Sequence, residues 1–143
     1  MKTIYFLILF LFLSCGTDQG SADTYTYTIK NESGVDIKII GYIPFDTFII
    51  NIKNKQQYTQ VYEDGVPPRG YSWDFFYGSS NGNYAADSIK VIYNNNRYKD
   101  FSINNIDNDR NPLYMPNEIR TEGFFTFTVE DYDNAEDCNG NCD

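Results

Sequence analysis

Thr24-Tyr25-Thr26-Tyr27-Thr28-Ile29-Lys30 is the stretch that decides the fold class. Tyr25, Tyr27 and Ile29 alternate with Thr24, Thr26, Thr28 and Lys30. A period of two is that of a half-buried strand, with successive side chains on opposite faces. Asn31-Glu32-Ser33-Gly34 has the composition of a turn. Beyond it Val35, Ile37 and Ile39 alternate with Asp36 and Lys38 as far as Gly41. The pair is expected to form an antiparallel hairpin with one dry and one wet face.

The same rhythm continues down the chain. Residues 47–52 form a short apolar run expected to be a buried strand. Residues 56–63 read as a more polar one, ended by the break Asp64-Gly65-Val66-Pro67-Pro68-Arg69-Gly70. Residues 71–77 read as an aromatic strand. Residues 88–93 and 97–103 flank Asn94-Asn95-Asn96, and Asn tolerates the left-handed turn conformation, so a second hairpin is expected there. Residues 104–121 are irregular, with two prolines among many Asn and Asp. Residues 124–129 read as a last strand with Phe125, Phe127 and Val129 on one face, and 131–136 as a helical turn. About seven to eight strands at this spacing predict an all-β protein, an antiparallel β-sandwich of immunoglobulin-like or related architecture. The domain is expected to span 24–130, followed by an acidic tail over 131–143.

Composition narrows the function. The chain has 143 residues, 11 Lys plus Arg, 20 Asp plus Glu and no His. A net charge of −9 disfavours nucleic acid, whose binding depends on clustered cations. Without His there is no Ser-His-Asp triad, Cys-His dyad or His-ligated zinc. No glycine-rich loop follows a strand and opens a helix, so no nucleotide or other cofactor is expected.

The amino terminus reads as an address. Lys2 precedes the apolar run Ile4–Leu13, ten residues long. That is short of the roughly 20 needed to span a bilayer and fits the apolar part of a signal peptide. Ser14 and Cys15 follow at once. Phe12-Leu13-Ser14-Cys15-Gly16 resembles the lipobox of bacterial lipoproteins, with Phe12 standing where Leu is usual. The resemblance implies cleavage of a 1–14 signal peptide before Cys15 and acylation of Cys15, which makes the bilayer a partner. Two or more acyl chains anchor stably where one is marginal. The small polar segment over 15–23 is expected to be a flexible tether. In the lipoprotein pattern Gly16, where Asp would retain the protein at the inner membrane, points to the outer membrane of the cell envelope. Asp18 alone does not make the acidic cluster of surface-exported lipoproteins, so the face of the membrane stays open.

The lipobox, the Tyr27-Thr28-Ile29-Lys30-Asn31-Glu32-Ser33-Gly34 opening and the ending with Glu130-Asp131-Tyr132, Cys138 and Cys142 together resemble small lipoproteins of Bacteroidota. The likeness implies an envelope location and supplies no catalytic residue.

Four groups of residues are candidates for chemistry. Cys138 and Cys142 remain as an even pair once Cys15 is acylated, and in an oxidising compartment they are expected to form a structural disulfide. The acids Glu130, Asp131, Asp133, Glu136, Asp137 and Asp143 crowd the end of the chain. They suit calcium, or simply a solvated acidic end. Asp107, Asp109, Asn111 and Glu118 have part of the spacing of a calcium loop, but Pro112 replaces its turn glycine and Arg110 puts a cation inside it; the competing reading is a polar loop held by Asx turns. Tyr71, Trp73, Phe75 and Tyr77 share one face of their strand. They either fill the core or, with Tyr71, Trp73 and Tyr77 exposed, form a platform for sugar rings.

The expected role is therefore non-catalytic: a membrane-anchored binding or accessory module with a protein or glycan partner. Alternatives are a carbohydrate-binding module, an inhibitor or immunity-type protein with an acidic surface, and a hydrolase using paired carboxylates.

Overall fold

The computed structural model describes residues 21–63, 86–105, 110–113 and 121–142. Among them eight strands form two sheets. In chain order they are β1 (Thr24–Glu32), β2 (Ile37–Ile43), β3 (Asp46–Ile52), β4 (Gln57–Glu63), β5 (Ser88–Tyr93), β6 (Arg97–Ser102), β7 (Glu122–Thr128) and β8 (Glu136–Asp137), with helix α1 (Val129–Asp133) between the last two. One sheet has the order β4-β1-β7 and the other β3-β2-β5-β6-β8. All pairings are antiparallel except β1 with β7, which run parallel. The protein is a β-sandwich, as the alternating sequence predicts. The aromatic segment 71–77 lies outside the described residues.

Both sheets face one core. Tyr25, Tyr27 and Ile29 of β1 and Phe125 and Phe127 of β7 meet Ile37 and Ile39 of β2, Ile50 and Ile52 of β3, and Ile89, Val91 and Tyr93 of β5. Each of these large side chains contributes about 1.5–3 kcal/mol when fully withdrawn from water. The rings of Phe125 and Phe127 lie edge to face at 4.9 Å, and Phe127 meets Tyr93 at 6.3 Å. Such tilted contacts suit the aromatic quadrupole.

The expected hairpin of residues 24–30 and 35–41 does not form. β1 and β2 belong to different sheets, and the link Ser33–Asp36 carries the chain across the sandwich. Asn31 organises the crossing. Its side chain is fully buried, its Nδ2 donates to the carbonyls of Val35 (2.8 Å) and Ile52 (2.9 Å), and its Oδ1 accepts from the Ser33 amide (3.1 Å) and hydroxyl (2.6 Å). A buried amide with both hydrogens and its oxygen engaged ties the end of β1 to a carbonyl of the crossing and to one at the end of β3.

The second hairpin forms as expected. β5 and β6 pair from Ser88↔Ser102 to Tyr93↔Arg97, and Asn94 and Asn95 take φ of 45° and 58°. Val129 departs from the expectation that it faces inward with Phe125 and Phe127. It opens α1 and is exposed, because the strand ends at the Thr128 cap.

The sheet also continues past residue 130. Glu136 and Asp137 pair with Tyr98 and Arg97. Beyond them Cys138 and Cys142 sit at disulfide distance, Cα atoms 4.9 Å apart. They cover Ile92, which points to the outer face of its sheet and is buried only because the tail folds back over it with Ile40 and Tyr98.

Candidate functional site

Residues 126–134 build a densely hydrogen-bonded corner of the surface. Thr128 is the N-cap of α1, with the extended φ of −110° and ψ of 170° that a cap requires. The Asp131 amide donates to the Thr128 hydroxyl (3.4 Å), and Asp131 Oδ2 accepts from the Thr128 amide (2.7 Å) and hydroxyl (3.0 Å). This is a capping box, in which each residue satisfies an orphan amide of the other.

Arg110 completes the corner. Its guanidinium grips Asp131 at two points, with Nε 3.1 Å from Oδ1 and Nη2 on Oδ2. Nη2 also donates to the Thr126 carbonyl at 2.6 Å, and the group lies 4.8 Å over the Phe125 ring. The fork geometry and the aromatic face both favour Arg over Lys here. At the other end of α1, Arg97 donates to the carbonyls of Tyr132 (3.2 Å) and Asp133 (2.9 Å) and stacks 5.2 Å over the Tyr132 ring. It supplies the cation that the last turn of the helix lacks in its own sequence.

A cleft of about 310 Å³ opens beside this corner, lined by Lys99, Phe101, Arg110, Glu130, Asp131 and Asn134. Its lining sets one aromatic side chain, Phe101, among charges of both signs. A shallower cleft of about 320 Å³ runs over Lys38, Asn51, Lys53 and Ile92. Beneath the first cleft Tyr93 is fully buried, and its hydroxyl has no hydrogen-bond partner among the described residues. Burial raises its pKa well above the ordinary 10.0, the charge of Asp131 pushes the same way, and that of Arg110 opposes both.

Of the residues expected to carry chemistry, the structure places some and not others. Cys138 and Cys142 come together as expected. Asn111 is buried, donating to the carbonyls of Ser102 (2.8 Å) and Asn105 (3.0 Å) and accepting from the Leu113 amide (3.0 Å), so its oxygen closes an Asx turn. Arg110, which lies inside the expected calcium loop, turns to Asp131 instead. Cys15, Tyr71, Trp73, Tyr77, Asp107, Asp109 and Glu118 lie outside the described residues. Among the described residues no group of three or more His, Cys, Asp or Glu is placed to hold a metal ion, and no helix is long and apolar enough to cross a membrane. Among the described residues the almost wholly buried polar side chains are Thr28, Asn31, Ser33 and Asn111, and Asp131 is the carboxylate largely withdrawn from water at the cleft.

The terminal acids do more than solvate the end of the chain. Asp131 caps a helix, Glu136 accepts from the Tyr98 hydroxyl at 3.0 Å, and Asp137 accepts from the Asn139 amide at 2.7 Å. Thr128-Val129-Glu130-Asp131 carried a legible sign of the first of these, a Thr followed three residues later by an acid. Comparison with family models, with curated proteins and with solved structures gives no match.

Proposed function

We propose that this chain is a lipid-anchored module of a bacterial cell envelope that works by binding, as an accessory or partner-recognition domain, and not by catalysis. One observation carries the reading: Cys15 stands directly after Ser14 at the end of the ten-residue apolar run Ile4–Leu13, where a lipoprotein signal ends. The paired Cys138 and Cys142 support it, since a structural disulfide belongs to an exported protein. The acidic surface favours a protein or glycan partner over nucleic acid. The cleft beside Arg110 supports a binding role, because Asp131, the acid best placed for chemistry there, is already committed to Arg110 and Thr128.

Intact-mass spectrometry of the membrane fraction, on wild type and Cys15→Ala, tests the anchor. A mature chain beginning at residue 15 with added acyl mass, lost in the variant, is the expected result. Protease shaving of whole cells then separates a surface module from one that faces the periplasm. An unacylated soluble chain overturns the proposal.

A further inference from the structure

We infer that the domain is seated on its own membrane through the β2–β3 turn, with Phe45 as the inserted side chain and Tyr42 and Ile49 beside it at the bilayer surface. The inference rests on the acylation of Cys15 proposed above.

Pro44 and Phe45 link Ile43 to its pairing partner Asp46. Proline fixes the first φ of such a turn, and the second position then takes a positive φ, where glycine or asparagine is preferred. Phe45 occupies it at φ 71°. A bulky aromatic side chain in this conformation is strained, and such strain clusters at ligand clamps and other functional sites. Packing within the domain does not hold the ring there: the residue is 107% exposed, more than in an extended reference chain. Tyr42 (38% exposed) and Ile49 (57%) stand on the neighbouring strands, so the turn is the tip of an apolar patch and not an isolated ring.

Strand direction says what covers it. β1 leaves Thr24 and ends at Glu32; after the short crossing Ser33–Asp36, β2 returns from Ile37 to Ile43. The β2–β3 turn therefore lies at the end of the sandwich where β1 begins, opposite the crossing. Eight residues separate Cys15 from Thr24, a reach of at most about 28 Å. An acylated Cys15 keeps this end of the sandwich nearest the bilayer, at a high local concentration that lets a few apolar side chains suffice. Acids ring the same end: Asp46, Glu63, Asp87 and Glu122 are all exposed. Seating is accordingly expected on zwitterionic vesicles and weaker where anionic lipid is added.

The test uses the full chain purified from membranes, its acylation read first by intact mass, reconstituted into phosphatidylcholine vesicles containing brominated phosphatidylcholine. Phe45→Trp and Gln57→Trp, the latter at the opposite end of the sandwich, are compared with wild type, whose single Trp is common to all. Loss of most of the added F45W emission, with a blue shift and with the Q57W emission retained, is expected. Acylated protein whose two added indoles are quenched alike, or not at all, overturns the seating and leaves the anchor standing. Unacylated protein overturns the anchor and the seating with it. Phe45→Asn, which suits the positive φ, should keep or raise the thermal midpoint. It should also abolish the slowing of hydrogen exchange over residues 42–49 that vesicles impose on wild type. Slowing that persists in Phe45→Asn overturns the role of this side chain.

Discussion

Arg110 and Asp131 are joined at two points across 21 residues of sequence, and the same carboxylate closes the cap of α1 on Thr128. The Arg side chain is about half exposed and the Asp largely buried. Solvent therefore screens the ion pair from the Arg side, while the capping bonds are sheltered. Arg110→Ala is expected to cost about 1 kcal/mol or less. Asp131→Ala, which removes the cap as well, should cost about 2 kcal/mol. Urea denaturation of the two single variants and the double variant should show a coupling smaller than the cost of Asp131→Ala. Equal costs for the two single variants would mean that the ion pair, and not the cap, carries the corner.

Asn31 is the side chain on which the crossing between the sheets depends. Asn31→Ala takes the Asn31 partner from the Ile52 carbonyl and the Ser33 amide, while the Val35 carbonyl keeps only the Ser33 hydroxyl at 3.1 Å. Unsatisfied buried groups cost about 1–3 kcal/mol each where water cannot reach them, so a loss of about 3 kcal/mol is expected. Asn31→Asp preserves shape but aims an acceptor at two carbonyl oxygens. It should be at least as damaging near neutral pH and milder near pH 3, where the carboxyl is protonated and donates. Thermal midpoints at the two pH values check this sign.

β1, which holds Asn31, and β2 beyond the crossing also show what was legible in the sequence and what was not. Alternation at Tyr25, Tyr27 and Ile29, and again at Ile37 and Ile39, identified the strands and their inward faces, because burial on one face imposes a period of two. It carried no information on partners. A short turn between two such strands serves a hairpin within one sheet or a crossing between two, and the side-chain alternation is the same in both. What distinguishes them here is Asn31, whose bonds reach Ile52, 21 residues away. Ile92 makes the same point from the other side. It breaks the alternation of Ile89, Val91 and Tyr93 because a tail 46 residues further on covers it. The corner at Asp131 was half legible: the Thr128-to-Asp131 spacing marks a cap, but nothing local to either residue announces Arg110.

Tyr93 makes the fold sensitive to alkali. Its folded pKa is raised, first by burial and then by Asp131, with Arg110 opposing. The unfolded chain therefore loses this proton at lower pH than the folded one. Stability from this group is fully present below the ordinary tyrosine pKa of 10.0 and falls as pH rises above it. Tyr98, whose hydroxyl bonds Glu136, shifts the same way. Absorbance of tyrosinate should rise in two stages, exposed tyrosines first and Tyr93 only together with the loss of near-ultraviolet circular dichroism. Complete tyrosine ionisation while the fold persists would contradict this.

Gly41 lies under the ring of its cross-strand partner Phe48, and a methyl group there would stand 2.1 Å from the ring carbon Cζ. Gly41→Ala should be destabilising by about 1–3 kcal/mol, the usual cost of overpacking. Phe48 is only partly buried, so its ring has room to move. Combining Gly41→Ala with Phe48→Leu should cost less than the sum of the two single changes, and chemical denaturation of the four chains measures the difference.

The pair Cys138 and Cys142 closes a ring of only five residues, for which chain entropy gives about 2 kcal/mol. Its position makes the effect local. The Cys138 amide bonds the Asn96 carbonyl at 2.9 Å, β8 adds two residue pairs to β6, and the two sulfurs shield Ile92. The core between the sheets shares none of these contacts. Replacing both cysteines by Ser should therefore release the tail from β6 and bare Ile92, while β1, β2 and β5 keep their pairing. Hydrogen exchange should accelerate over residues 134–142 and 96–98 and stay unchanged over 25–43. A uniform acceleration across all strands would show instead that the tail is part of the same cooperative unit as the core, since subglobal opening and global unfolding differ in which amides they expose.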